Sequence, residues 1–286
     1  MTGRTFFSKF ARNFQIQDME HQPNFPEELL LHESDRGRRL IREFYEQYHE
    51  GKTTSKKPGY RIKGKYDEMK GAFYRKCLEK HGHDRRSLGL DVGCRGGVMI
   101  SLVDVVSWIG VDADENALAV ARANGIPCAE MDFTTGIHFR DESFDAVTMT
   151  EVLEHLPYPS ITVREVNRIL KKKPDSIYFG SVPLDYHLHR RWKVMRGMRL
   201  SGEQTHIHHF SFVELDRLLR FYFDTIEYLP LAGTAVRYPA LKLPYNLFLR
   251  DIAWAASSPK SDPGRWDVRA DKNVAKHVRQ RDSATN

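Results

Sequence analysis

Glu151, Glu154 and His155 carry the densest chemistry of the chain. On a helix, positions i, i+3 and i+4 share one face, so two carboxylates and an imidazole would meet over the same volume. A neutral imidazole beside a carboxylate can take a proton from a hydroxyl, which makes His155, with Glu154, the expected catalytic pair. Adding His206, from the run His206-Ile-His-His-Phe210, gives two Glu and two His, a donor set suited to a divalent cation. Without metal, His155 would act as the base or orient the acceptor. No metal is favoured; if one binds, Glu151, Glu154, His155 and His206 are its expected ligands. His208 and His209 are expected at the surface or facing substrate.

A second constellation lies upstream. Residues 87–97 read Ser-Leu-Gly-Leu-Asp-Val-Gly-Cys-Arg-Gly-Gly: a short apolar run, an acid, then three glycines in five positions. A buried strand ending in such a loop offers bare backbone N–H groups and unhindered Cα atoms to a ligand. Asp91, Asp112, Asp132 and Glu151 fall at or just past the ends of successive predicted strands. In an open α/β sheet those ends share one edge, where ligands bind.

The elements that must position these residues follow from apolar spacing. Tyr66, Met69, Phe73, Cys77 and Leu78 mark a helix ending near His81-Gly82. Strands are expected over 88–92, 106–111, 127–131, 144–150 and 176–182, with helices over 97–103, 114–124 and 161–170. This alternation predicts βαβ units and a parallel sheet. Beyond Pro183 come an aromatic, basic helical insertion over 185–200, a helix over 211–222, a strand over 225–231, then a flap and last strand over 236–256. Before the sheet, residues 1–25 read as an arm. Residues 26–50 read as an amphipathic helix on Leu40, Ile41, Phe44, Tyr45 and Tyr48, and 51–64 as a polar loop. The expected division is an N-terminal arm and helix over 1–60, one main domain over 61–256 with an insertion at about 184–210, and a disordered polar tail over 257–286.

The net charge of +6 is unevenly spread. Residues 1–90 hold 19 Lys/Arg against 13 Asp/Glu, residues 91–183 hold 8 against 14, and residues 184–286 hold 17 against 11. An acidic middle lies between basic flanks, which can attract phosphates or anionic lipid headgroups, or simply be solvated. Cys77, Cys94 and Cys128 show neither paired nor zinc-ligand spacing, so a reducing, cytoplasmic setting is expected. The most apolar window, 98–111, is shorter than a membrane span and carries Asp104.

The motif series resembles the class I S-adenosylmethionine-dependent methyltransferases, closest to the group acting on small molecules. The matching pieces are Leu90-Asp-Val-Gly-Cys-Arg-Gly-Gly97, Gly110-Val-Asp-Ala-Asp114, Met131-Asp-Phe133, Ser143-Phe-Asp-Ala-Val147 with Glu151-Val-Leu-Glu-His-Leu156, and Arg164-Glu-Val-Asn-Arg-Ile-Leu170. The resemblance implies a Rossmann-like fold: a mostly parallel seven-stranded sheet with helices on both faces, here with an N-terminal helical extension. It implies S-adenosyl-L-methionine as cofactor. Asp91 and the backbone of Gly93, Cys94, Gly96 and Gly97 would hold its methionine end, Asp112 its ribose hydroxyls, Asp132 its adenine amino group, and Ala113 and Phe133 the faces of its ring. Glu151 would border the same pocket. Because this cofactor is a sulfonium cation without phosphate, acids suit it where lysines would not. One departure is Arg95, where the family often has glycine; its side chain either crowds the cofactor or points outward.

The implied activity is O-methylation of a small or lipid-like acceptor. Alternatives are a metal-assisted RNA 2′-O-methyltransferase and a non-catalytic cofactor-binding relative. A dinucleotide dehydrogenase fits less well, since the G-x-G-x-x-G spacing is not met and Asp132 has no role in it.

Overall fold

The computed structural model describes residues 64–134, 136–200, 205–264 and 266. The expected arm and helix within 1–60, and the tail beyond Trp266, lie outside the described residues. Five parallel strands follow the predicted order: β1 (Leu88–Val92), β2 (Ser107–Asp112), β3 (Cys128–Glu130), β4 (Ala146–Thr150) and β5 (Ile177–Pro183). β6 (Phe223–Gly233) and β7 (Leu249–Pro259) complete one sheet in the order β3-β2-β1-β4-β5-β7-β6, with β7 antiparallel to both neighbours. This is the mostly parallel seven-stranded Rossmann-like sheet that the motif series implies.

Strand alternation places helices on both faces. Leu90, Ile109, Val147, Tyr178 and Trp254 pack in one core with Val163 and Val166 of α4 (Pro159–Ile169) and Leu215 and Leu219 of α6 (Phe212–Tyr222). On the other face Trp108, Ala146, Phe179 and Ala253 meet Tyr74 and Leu78 of α1 (Lys65–Lys80) and Met99 of α2 (Val98–Leu102). Neighbouring strand residues thus divide between the two cores. The remaining helices are α3 (Glu115–Ala123), α5 (Leu188–Met195), α7 (Thr234–Arg237) and α8 (Tyr245–Phe248).

Local chemistry sets the helix starts. The Asp114 carboxylate accepts from the backbone N–H of Asn116 and Ala117 at the head of α3, and Ser211 and Glu214 form a reciprocal capping box on α6. Pro159 opens α4 two residues before the predicted start, in the first turn where a missing N–H costs nothing.

Strand boundaries differ from expectation as well, β6 running two residues beyond the predicted strand at each end. β4 begins at Ala146 because Phe144 makes only an isolated bridge to Leu170. At the other end the ordered chain passes residue 257: Ser257 pairs with Thr225 and Pro259 with Phe223. Trp266 packs edge-on against Phe221, beneath the guanidinium of Arg217. The polar serines read as tail are held because the long strand β6 offers them a backbone partner.

Gly180 of β5 lies opposite Trp254 of β7, and a Cβ there would sit 2.1 Å from the indole Cζ2. Gly180→Ala is therefore expected to lower stability by about 1–3 kcal/mol through overpacking, read as a lower urea midpoint.

Candidate functional site

The carboxyl ends of β1, β2 and β3 bring Asp91, Asp112 and Asp132 to one edge. Asp91 and Asp112 are 3% and 4% exposed. The Asp112 carboxylate accepts from the backbone N–H of Arg95 at 2.8 Å and of Asp114 at 2.9 Å, one on each oxygen. Burial raises its pKa, and those two hydrogen bonds oppose the rise. Asp91 is pushed up to about 8, by burial first and by the Asp112 charge second. Asp132, half-buried beyond β3, accepts from the backbone N–H and hydroxyl of Thr134 at 2.8 and 2.6 Å. Ala113 and Phe133 are buried beside these acids in the chain.

The glycine loop is fixed by crowding. Its first N–H groups, of Gly93 and Cys94, donate to the Val111 carbonyl of β2. Gly97 has φ 82° and a Cβ on it would lie 1.8 Å from Ile126 Cδ1, so only glycine fits where α2 begins. Cys94 is buried, and burial holds its thiol well above the usual range. Gly93, φ 76°, is left-handed too, and the third such bend falls on Arg95, φ 47°, and not on Gly96. That bend aims the Arg95 N–H at Asp112 while the side chain stays exposed. Its charge nonetheless acts on the Asp112 carboxylate and helps to hold its pKa down.

Glu151 corrects the one-face reading. It has φ 55°, and the residues after it form a 3₁₀ turn, Leu153–His155, in place of an α-helix. The Glu151 N–H donates to the Ser181 carbonyl and the Ser181 hydroxyl donates to Glu151 Oε1 at 2.5 Å. Lys70 of α1 lies 3.6 Å from the same oxygen and 3.2 Å from Asp67. Glu151 thus reaches back to β5 and α1, away from Glu154 and His155. Sequence reasoning missed Asp67 and Lys70, both buried on a helix treated as packing; their acid–base pair at i, i+3 within an otherwise apolar face was the available signal.

Glu154, His155 and His206 do converge, each offering a ligand atom within 4.8 Å of the others. Glu154 is 1% exposed, and its carbonyl accepts from the N–H of Ile207 and His208, which pins the His206 loop onto the turn. His155 Nδ1 lies 2.9 Å from the Thr205 carbonyl. A carbonyl only accepts, so Nδ1 carries the proton, and in the neutral ring Nε2 keeps its lone pair. That atom is 4.0 Å from Glu154 Oε1, and the His155 and His206 rings meet edge to face at 4.8 Å. His208 and His209 are anchored instead: His208 to Glu214 at 3.2 Å, and His209 to the fully buried Asp185 at 2.5 Å. Asp185 also pairs with Arg190. It is a third residue the sequence reading passed over.

Residues 90–174 match the family model described as a methyltransferase domain. This part of the chain is a methyltransferase domain, and the sheet order and the acidic edge agree with the class I S-adenosylmethionine-dependent type that the motif series resembles. Among curated proteins it is 34% identical over 101 residues to a ubiquinone biosynthesis O-methyltransferase of Hahella chejuensis, covering 32% of this chain and 42% of that one. It is 37% identical over 90 residues to the protein of the same name from Proteus mirabilis, covering 29% and 37%. The match thus spans about two fifths of the length of these relatives. Similar solved structures include a Pyrococcus horikoshii protein, with TM-score 0.49, 17% identity, and coverage of 70% of this chain and 93% of that one. Another is the Haemonchus contortus phosphoethanolamine N-methyltransferase 2 in complex with S-adenosyl-L-methionine, with TM-score 0.47, 16% identity, and coverage of 65% and 52%.

The Asp91 shift has a sign. Its folded pKa near 8 lies above the value of about 3.9 for an unfolded chain, so its contribution favours the folded state below about pH 4 and is lost as pH rises through 8. Asp91→Asn, which keeps the shape of the neutral form, is expected to gain stability over wild type progressively from pH 5 to pH 8. Urea unfolding across that range checks this; a pH-independent difference would remove the cause assigned here.

Proposed function

We propose that this protein transfers the methyl group of S-adenosylmethionine to an oxygen of a small, lipid-like acceptor. The observation that carries the reading is the row of carboxylates along the carboxyl edge of the sheet, in a domain matching the methyltransferase model. An anionic ligand would be repelled from that edge; a sulfonium and ammonium cation replaces the proton that burial holds on Asp91. Asp112 has one backbone hydrogen bond on each oxygen and keeps further lone pairs for the two ribose hydroxyls. Asp132 and Phe133 take the adenine, and the loop from Gly93 to Gly97 the methionine end. The names of the relatives support oxygen as the nucleophile and a small acceptor; they do not extend that support to RNA.

Methyl transfer is an in-line displacement on an already activated carbon, so the work of the protein is alignment and removal of the acceptor proton. His155 Nε2 takes that proton, its ring held by the Thr205 carbonyl. Calorimetry is expected to show binding of S-adenosylmethionine and of its demethylated product, weakened roughly a hundredfold by Asp112→Ala, which deletes charge-assisted hydrogen bonds. Wild-type protein that binds neither compound ends this reading.

The convergence of Glu154, His155 and His206 supports a second reading, in which these three hold a divalent cation. One carboxylate and two imidazoles suit a borderline metal such as zinc, and a bound cation would supply Lewis-acid activation of the acceptor oxygen. Glu151 is not a ligand in this version, since it is engaged with Ser181 and Lys70. Turnover is then expected to fall on chelation and to return on adding metal, with His206→Ala lowering metal content and leaving cofactor affinity unchanged. Full activity in protein shown to be metal-free leaves His155 acting as the base alone.

A further inference from the structure

Helix α5 buries none of its residues. Leu188, Trp192 and Met195, at i, i+4 and i+7, form one apolar stripe, and they are 53%, 50% and 77% exposed. Five Lys/Arg and no acid lie between residues 186 and 200. Arg191 and Arg196 flank the stripe, and the Arg196 guanidinium lies over the Trp192 ring at 4.5 Å.

A second exposed set rises beside it. The connection between β6 and β7 presents Tyr238, Leu241 and Tyr245 at 50%, 64% and 36% exposure. It adds Arg237 and Lys242, with no acid between residues 228 and 250. Topology joins the two sets. α5 follows the end of β5, the connection follows the end of β6, and both strands point toward the edge that carries Asp91 and Asp112. The Leu184 N–H donates to the Arg250 carbonyl, tying the two roots together.

We infer that these two segments dock the cofactor edge of the sheet onto an anionic lipid bilayer, lying in the interface without crossing it. No helix among the described residues is long and apolar enough to cross a membrane. Apolar tips ringed by arginine and lysine are the composition of an interfacial helix: the tips enter the acyl boundary and the cations stay among headgroup phosphates. A nucleic acid surface would use the cations and the aromatic rings, but it leaves Leu188, Met195 and Leu241 in water. A bilayer covers them. The placement also presents the cofactor edge to an acceptor dissolved in lipid. Docking itself needs no acceptor and is tested without turnover.

The test is flotation of the full chain with vesicles of phosphatidylcholine containing 30 mol% phosphatidylglycerol, against pure phosphatidylcholine, in low and high salt. Binding to the anionic vesicles is expected to weaken at high salt, and Arg191→Ala with Arg196→Ala to weaken it roughly tenfold or more. Trp192→Glu with Met195→Glu, both at exposed positions, is expected to abolish it. Trp108 and Trp254 are buried and Trp266 is half-buried against Phe221, so in a Trp266→Phe background a blue shift of tryptophan emission on adding vesicles reports Trp192. Absence of flotation, or flotation unchanged in the Glu variant, overturns the inference. So does a wild-type dimer that the same variant dissociates, or single-stranded RNA binding sensitive to Trp192 in protein that ignores vesicles. Because neither cofactor nor acceptor is present, a negative result leaves the methyl-transfer reading standing.

Discussion

Two carboxylates buried at the ends of adjacent parallel strands are the constraint around which the site is arranged. Burial raises the pKa of both Asp91 and Asp112, and the Asp112 charge raises that of Asp91 further. The fold meets this by giving Asp112 two backbone N–H groups and leaving Asp91 with a proton near neutral pH. In the proposed function a site held in that state receives a positive charge. Folding alone would gain from apolar residues at these positions, so the acids are a cost in stability that binding of the proposed cation would recover.

The glycine loop and Arg95 are consequences of the same constraint. To turn an N–H toward Asp112 the chain must enter the left-handed region, which for a residue with a Cβ costs about 1–2 kcal/mol. A hydrogen bond to a charged acceptor contributes about 1.5–3 kcal/mol, enough to offset the bend without glycine. The residue that the family resemblance marks as a departure therefore does the work of a glycine by a different balance. Its side chain is exposed, and its charge helps to hold down the pKa of Asp112.

Periodicity made the scaffold legible. β1 falls on the predicted residues, the other parallel strands within two, and Asp91, Asp112 and Asp132 reach one edge because a parallel sheet puts every strand end there. What escaped depended on partners distant in sequence. The i, i+3, i+4 spacing of Glu151, Glu154 and His155 presumed a helix, yet Ser181 on β5 and Lys70 on α1 hold Glu151 in a left-handed turn that no local pattern announces. The extension of β7 through Ser257 is of the same kind, since serines join a strand only where a neighbour supplies the ladder. Asp185 falls in the stretch read as a helical insertion, and its part emerges only where Arg190 and His209 close on it.

The alternation of charge along the chain now has a spatial meaning within the described residues. Acids of the middle third line the inner edge, while the basic residues of α5 and of the β6–β7 connection stand outside it. At physiological salt, charges separated by more than about 8 Å of water hardly sense one another, so an interior that attracts a cation and a rim that attracts anionic headgroups coexist. A buried pair of acids keeps its field because water and salt are excluded from it, whereas the rim keeps its hold only where apolar side chains accompany the charge. Under the proposed function and the inferred docking, that difference in screening lets the cleft rely on carboxylates alone, whereas the rim needs tryptophan, leucine and methionine beside its arginines.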